Sequence, residues 1–181
     1  MIKRGPIHKG GKALLLVSLY LIIFMSGTTI QNFGCEELAK MERKIILFPI
    51  GEIEGWTLDV LEKDLEKKFS SKVERHGPTD VPREAFNARR NQYFSSLILK
   101  KLHSLMVPDK RDKVLGITDV DLYAEGLNFV FGEAELGGQM AIISLVRLHQ
   151  SFYGLAENKT IFLERAKKEA VHELGHVFGL A

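Results

Sequence analysis

From residue 41 onward two hydrophobic rhythms alternate, and that alternation limits the possible folds more than any other feature of the chain. Apolar runs too short for helices occupy residues 45–50, 114–118, 127–131 and 140–145, and they read as buried strands. A further short strand is expected at 72–74. Between these runs the apolar residues recur every three or four positions. Thr57 is placed to cap a helix carrying Leu58, Leu61, Leu65 and Phe69 on one face. Phe94, Leu97, Ile98, Leu102 and Leu105 mark a second helix, which Pro108 ends. Pro78 and Pro82 make 77–90 a loop, and glycines make 132–138 a connection between the last two strands. A final helix is expected over 160–178, buried through Leu163, Ala166, Ala170, Leu174 and Val177. The order β-α-β-α-β with trailing strands and a terminal helix predicts an α/β fold, a mixed sheet with packed helices.

Composition narrows the partners. A net charge of +2 gives no electrostatic case for nucleic acid, and the 45% apolar content is that of an ordinary globular chain. Cys35 is the only cysteine, which excludes an intrachain disulfide and a Cys-rich zinc site. Residues 1–40 read differently from the rest. Lys3, Arg4, Lys9 and Lys12 precede an apolar run from Ala13 to Met25, as in a signal peptide or signal anchor. Two domains are therefore expected: a hydrophobic leader or anchor at 1–40 and a catalytic domain at 41–181. Residues 13–30 would associate with a membrane, and the protein would be anchored or exported. Met41 offers a second start at the onset of globular patterning, and a chain beginning there would be cytoplasmic.

The final helix carries the chemistry. It reads His172-Glu-Leu-Gly-His176-Val-Phe-Gly179. Residues four apart share a helical face, so His172 and His176 present two imidazoles to one point. Zinc takes such nitrogens as ligands. Glu173 is rotated by about 100° from His172 around the helix, and from there it can take a proton from a water at the metal. Gly175 leaves room beside the metal face. Gly179 fits the position just past a helix end, where a positive φ turns the chain back. The pattern H-E-x-x-H-x-x-G-x-x-H of zinc peptidases would place its third histidine one position beyond Ala181.

With these segments in view, the chain resembles the archaemetzincins, a family of small zinc metallopeptidases, over roughly residues 43–181. The resemblance rests on the strand Ile45–Ile50 with Gly51-Glu52, and on Gly116-Ile-Thr-Asp119-Val-Asp121-Leu-Tyr123. It also rests on Asn128-Phe-Val-Phe-Gly132-Glu-Ala134, on Ser144-Leu-Val-Arg147-Leu148 and on Glu169-Ala-Val-His172-Glu-Leu-Gly-His176. It implies a metzincin-like sheet that ends at the active-site helix. It implies hydrolysis of peptide or protein substrates through a metal-activated water, with His172 and His176 as zinc ligands and Glu173 as general base. The family's third histidine, and the cysteines that bind its second, structural zinc, would fall beyond Ala181, leaving one catalytic Zn2+ as the cofactor. The domain at 41–181 would then lack the family's C-terminal subdomain, and the alternative expectation is a catalytically inactive truncated remnant or split-gene fragment of such a peptidase.

Other features carry weaker expectations. Asn128 to Phe131 could hold an extended substrate strand or be plain core sheet. Asp119 and Asp121 read as turn residues. His76, His103 and His149 lack ligand spacing. Arg147 is placed to pair across strands with Glu133 or Glu135. Glu169 is placed either to support a ligand imidazole or to face solvent. Lys100, Lys101, Lys110, Arg111 and Lys113 read as a solvated basic face.

Overall fold

The computed structural model describes residues 43–180. The N-terminal apolar run lies outside them, and with it the expected leader, membrane association and localisation. Among the described residues no helix is long and apolar enough to cross a membrane.

The chain from residue 43 is an α/β sandwich. Strand β1 spans Lys44–Ile50, helix α1 Gly55–Phe69 and β2 Lys72–Arg75. Two short strands, β3 (Phe86–Asn87) and β4 (Gln92–Phe94), lead into α2 at Ser95–Leu105. Then come β5 (Lys113–Thr118), β6 (Leu122–Tyr123), β7 (Gly132–Ala134) and β8 (Met140–Ser144). Helix α3, Lys159–Val177, is the last element. The main sheet has the order β2-β1-β5-β8-β7. Its first four strands are parallel, and β7 runs antiparallel to β8 along one edge. The small sheet β3-β4-β6 stands apart from it.

Helices cover both faces of the main sheet, which is why its inner strands β1, β5 and β8 read as apolar runs. Successive strand residues point to opposite faces. Ile45 and Leu47 of β1, Leu115 and Ile117 of β5, and Ala141 and Ile143 of β8 pack beneath α1 and α3. Phe48, Ile50, Val114, Met140 and Ile142 face the other way, against Ile98, Leu99 and Leu102 of α2. Pro49 is tolerated in a central strand because pairing with β2 lapses at Leu47↔Arg75. Beyond that point only the Thr79 backbone meets β1 on this side, so the missing N–H of Pro49 faces no regular ladder.

Helix α3 approaches the sheet closely because Ala166 and Ala170 line its inner face, both with 0% exposure. Its first turn is capped by the Asn158 side chain, which accepts a hydrogen bond from the Ile161 N–H at 3.1 Å. The buried stripe includes Phe162, which the sequence pattern missed, while Leu163 is only partly buried. Enlarging the contact in Ala170→Leu is expected to destabilise the fold by about 1–3 kcal/mol through overpacking, read as a lower denaturant midpoint.

Several local expectations need correction. Helix α1 begins at Gly55, and Thr57 is a buried residue of its first turn with 1% exposure, not its cap. The loop 77–90 contains a 3-10 turn, Arg83–Ala85, and β3. Residues 127–131 form no strand beyond one isolated bridge, Leu122↔Val130, and the strand lies instead within the glycine-rich stretch as β7. Lys113 leaves the expected basic face: its ammonium donates to the Gly138 carbonyl, and burial lowers its pKa.

Candidate metal centre

Helix α3 and the β7–β8 hairpin build the site together. On the helix, the Nε2 atoms of His172 and His176 converge to 3.1 Å, with the rings 77° apart. Two nitrogens at 2.0–2.1 Å from a tetrahedral zinc would stand about 3.3 Å apart, so the pair fits the ion with a small adjustment. The Nδ1 of His176 lies 3.1 Å from the Leu180 carbonyl. A carbonyl can only accept, so Nδ1 carries the proton and Nε2 of the neutral ring keeps its lone pair for a ligand. Among the described residues no group of three or more His, Cys, Asp or Glu side chains is arranged to hold a metal.

The turn after the helix fixes that carbonyl. Gly179 adopts φ 81°, a conformation that strains any residue with a side chain. Its N–H donates to the His176 carbonyl, and the Leu180 N–H donates to the Gly175 carbonyl, both at 2.9 Å. These two bonds form a Schellman closure, and they bring the Leu180 carbonyl back onto the His176 ring. Gly137, at the tip of the hairpin, donates its N–H to the same His176 carbonyl at 2.8 Å. At Gly175 an added Cβ would meet only Leu180, at 4.0 Å, so sterics do not require glycine there.

Glu173 points inward. It is 5% exposed, although a carboxylate is rarely buried without a partner. Its neighbour is Gly132 of β7. A Cβ at that position would lie 2.6 Å from Glu173 Cγ, 2.8 Å from its Cδ and 2.7 Å from the Ile142 carbonyl oxygen. The glycine therefore makes the space in which the carboxyl rests. Glu169, one turn earlier and half-buried, lies against the Glu173 carboxyl and also feels the charges of His172 and His176. Two carboxyls that share a hydrogen bond must hold one proton between them. Burial, then the adjacent Glu169 and Glu133, push the Glu173 pKa up to about 8. Burial also raises Glu169, while His172 and His176 pull it back.

A pH dependence follows for the metal-stripped protein. Between about 4.5, the ordinary value, and about 8 the folded chain keeps a proton that the unfolded chain has lost. Stability therefore falls as pH rises through that window and levels off above it. The carboxylates with lowered pKa, Glu74, Glu135, Glu157 and Glu164, act on stability only below about 4.5. Thermal melts of chelator-treated protein from pH about 5 to about 9 should show the decline, and Glu173→Gln should flatten it.

Several other polar residues have structural partners. Asp121 holds the Arg147 guanidinium at 2.6 and 2.8 Å, so Arg147 pairs with neither Glu133 nor Glu135. Arg147 also stacks between Phe129 and Phe152, at 4.1 and 4.6 Å from their ring centres. Glu133 instead accepts hydrogen bonds from Ser95 and Ser96 at the start of α2, a favourable position for a carboxylate at a helix N-terminus. His103 bonds Glu135 at 2.5 Å, His149 stacks on Phe162, and His76 stacks on Phe48, so none of the three reaches the metal pair.

The profile of peptidase family M54 matches residues 72–181. The chain belongs to peptidase family M54. It is 47% identical over 140 residues to the archaemetzincin of Methanocaldococcus jannaschii, covering 77% of this chain and 75% of that one. Among solved structures, the archaemetzincin of Archaeoglobus fulgidus complexed with malonate superposes with a TM-score of 0.65 at 42% identity. That match covers 76% of this chain and 78% of that one. A zinc-dependent peptidase from Methanocorpusculum labreanum gives a TM-score of 0.68 at 29% identity, over 76% and 82% of the two chains. M54 membership makes the chain a metallopeptidase with zinc as its implied metal and a peptide or protein as its substrate, and the α/β fold agrees with these structures.

Proposed function

We propose that His172 and His176 hold one catalytic zinc and that Glu173 is the general base of peptide-bond hydrolysis. The observation that carries this reading is the pair of Nε2 atoms converging at 3.1 Å on the residues flanking a buried carboxyl. When bound, zinc supplies Lewis-acid polarisation of the scissile carbonyl and makes water a better acid. The protein's own part begins with Glu173. Its carboxylate accepts a proton from the attacking water and later returns it to the leaving amide nitrogen. Gly132 lets that carboxylate lie against β7, and Glu169 fixes its orientation by a hydrogen bond. His176 is held in its metal-facing tautomer by the Leu180 carbonyl.

Strand β7 ends the sheet order, so among the described residues its outer backbone edge has no strand partner. An extended peptide added there would run beside α3, with backbone hydrogen bonds to β7. This edge takes the substrate-holding part first expected of residues 128–131. The inactive-remnant alternative has no observation in its favour. The test is hydrolysis of a mixed fluorogenic peptide pool by the purified chain. Chelation should remove the activity and zinc should restore it. Hydrolysis unchanged by chelation, or none with zinc bound, would overturn the reading.

A further inference from the structure

A groove opens along α3 on the N-terminal side of the metal pair, reaching Glu169. Arg165, Glu169, His172 and His176 fall along one stripe of the helix, since steps of three and four residues return to the same face. Arg165 therefore lies about 10 Å along the axis from His172, at 1.5 Å per residue. Around it opens a groove of about 330 Å³, large enough for one amino-acid side chain. Phe131, just before β7, and Tyr153 contribute its aromatic surface, and Arg165 and Lys168 line it as well.

The charges in this groove are unevenly matched. Arg147 also lines it, but Asp121 grips its guanidinium with two hydrogen bonds. Glu169 contributes the groove's one carboxyl and turns it toward Glu173. Arg165 donates one N–H to the Leu148 carbonyl, a neutral acceptor, at 3.0 Å, and among the described residues no carboxylate forms an ion pair with it. Lys168 is exposed, and Glu164, the carboxylate that feels its charge, is held by Lys167. Two cations thus line the groove with Phe131 and Tyr153, about two to three residues from where the scissile bond would lie, at about 3.3 Å per extended residue.

We infer that this groove is a substrate subsite that selects an acidic residue of the peptide. The carboxylate of a bound Asp or Glu would sit between Arg165 and Lys168, with its methylene groups on Phe131 and Tyr153. The inference rests on the peptidase reading above for the direction of the bound chain. A charge-assisted hydrogen bond in such a place is worth about tenfold or more in affinity.

The experiment uses the full chain as Glu173→Gln, zinc-loaded, and labelled peptides of otherwise neutral sequence. A single Glu is moved one residue at a time along the peptide, each version is paired with its Gln counterpart, and affinity is read by fluorescence anisotropy. At one position Glu is expected to bind about tenfold tighter than Gln. Adding Arg165→Gln with Lys168→Gln should equalise the two, while adding Lys100→Gln with Lys101→Gln on α2 should keep the preference. Should the first pair fail to fold, Arg165→Glu alone should reverse the preference toward a Lys-containing peptide. Equal affinities at every position, a preference that survives loss of both cations, or no peptide binding at all would each overturn the subsite. The parallel cleavage assay on the unsubstituted chain separates the two readings. Selective binding without cleavage sinks the peptidase reading alone, and cleavage without acidic selectivity sinks the subsite alone.

Discussion

Replacing Glu173 by glutamine is expected to lower peptide hydrolysis by about two to four orders of magnitude while zinc affinity changes little. Glutamine has nearly the same shape, so it fits the space against Gly132 and can donate a hydrogen bond to Glu169. What it cannot do is accept and return a proton. The neighbouring nitrogens that face the metal, Nε2 of His172 and His176, are untouched by the change. Isothermal titration with zinc and an initial-rate assay on one peptide separate these effects. A variant that loses zinc together with activity would show that Glu173 shapes the metal site rather than the proton transfer.

Gly132→Ala is expected to cost about a hundredfold in rate, although the residue offers no side chain to metal or substrate. Its methyl group would have to share space with Glu173 Cγ, 2.6 Å away, and with the Ile142 backbone oxygen at 2.7 Å. The backbone oxygen belongs to β8, which pairs with β7 and cannot easily yield, so the carboxyl moves instead. A displacement of about 1 Å at a reacting group is enough for a loss of this size. The decisive readout is non-additivity. Combined with Glu173→Gln, the alanine should cost nothing further, because the group it displaces no longer acts. A further loss in the double variant would mean that Gly132 serves the fold at large. Full activity in the single variant would mean that β7 relaxes around the methyl group.

The parts of this structure legible in the sequence are those fixed by short-range pattern. Strands β1, β5 and β8 are covered on both faces, so each leaves an unbroken apolar run, and α1, α2 and α3 each repeat with helical period. The spacing of His172 and His176 is local to one helix, and their convergence follows from it. What was misread depends on distant partners. Phe129 and Phe131 have the composition of a strand, yet Arg147 stacks on Phe129, and Arg90 takes the carbonyls of Leu127 and Asn128 at 2.9 and 2.8 Å. Tertiary contacts of that kind override local propensity. Gly132 reads in the sequence as part of a loop. It is a strand residue whose lack of a side chain matters only because a helix about forty positions later brings Glu173 against it. Glu169 reads as serving an imidazole or solvent, and nothing local shows that it also lies against its neighbouring carboxyl.

The most direct measurement is zinc binding by the full chain and by His172→Ala and His176→Ala, each first stripped of metal. The unsubstituted chain is expected to bind one zinc ion, and each alanine variant should bind at least about tenfold more weakly, beyond the effect of losing a supporting contact. All three proteins should keep the same circular dichroism, because His172 is exposed, His176 is half-buried and neither belongs to the hydrophobic core. Zinc affinity that is unchanged when either histidine is removed would contradict the assignment of His172 and His176 as the metal ligands.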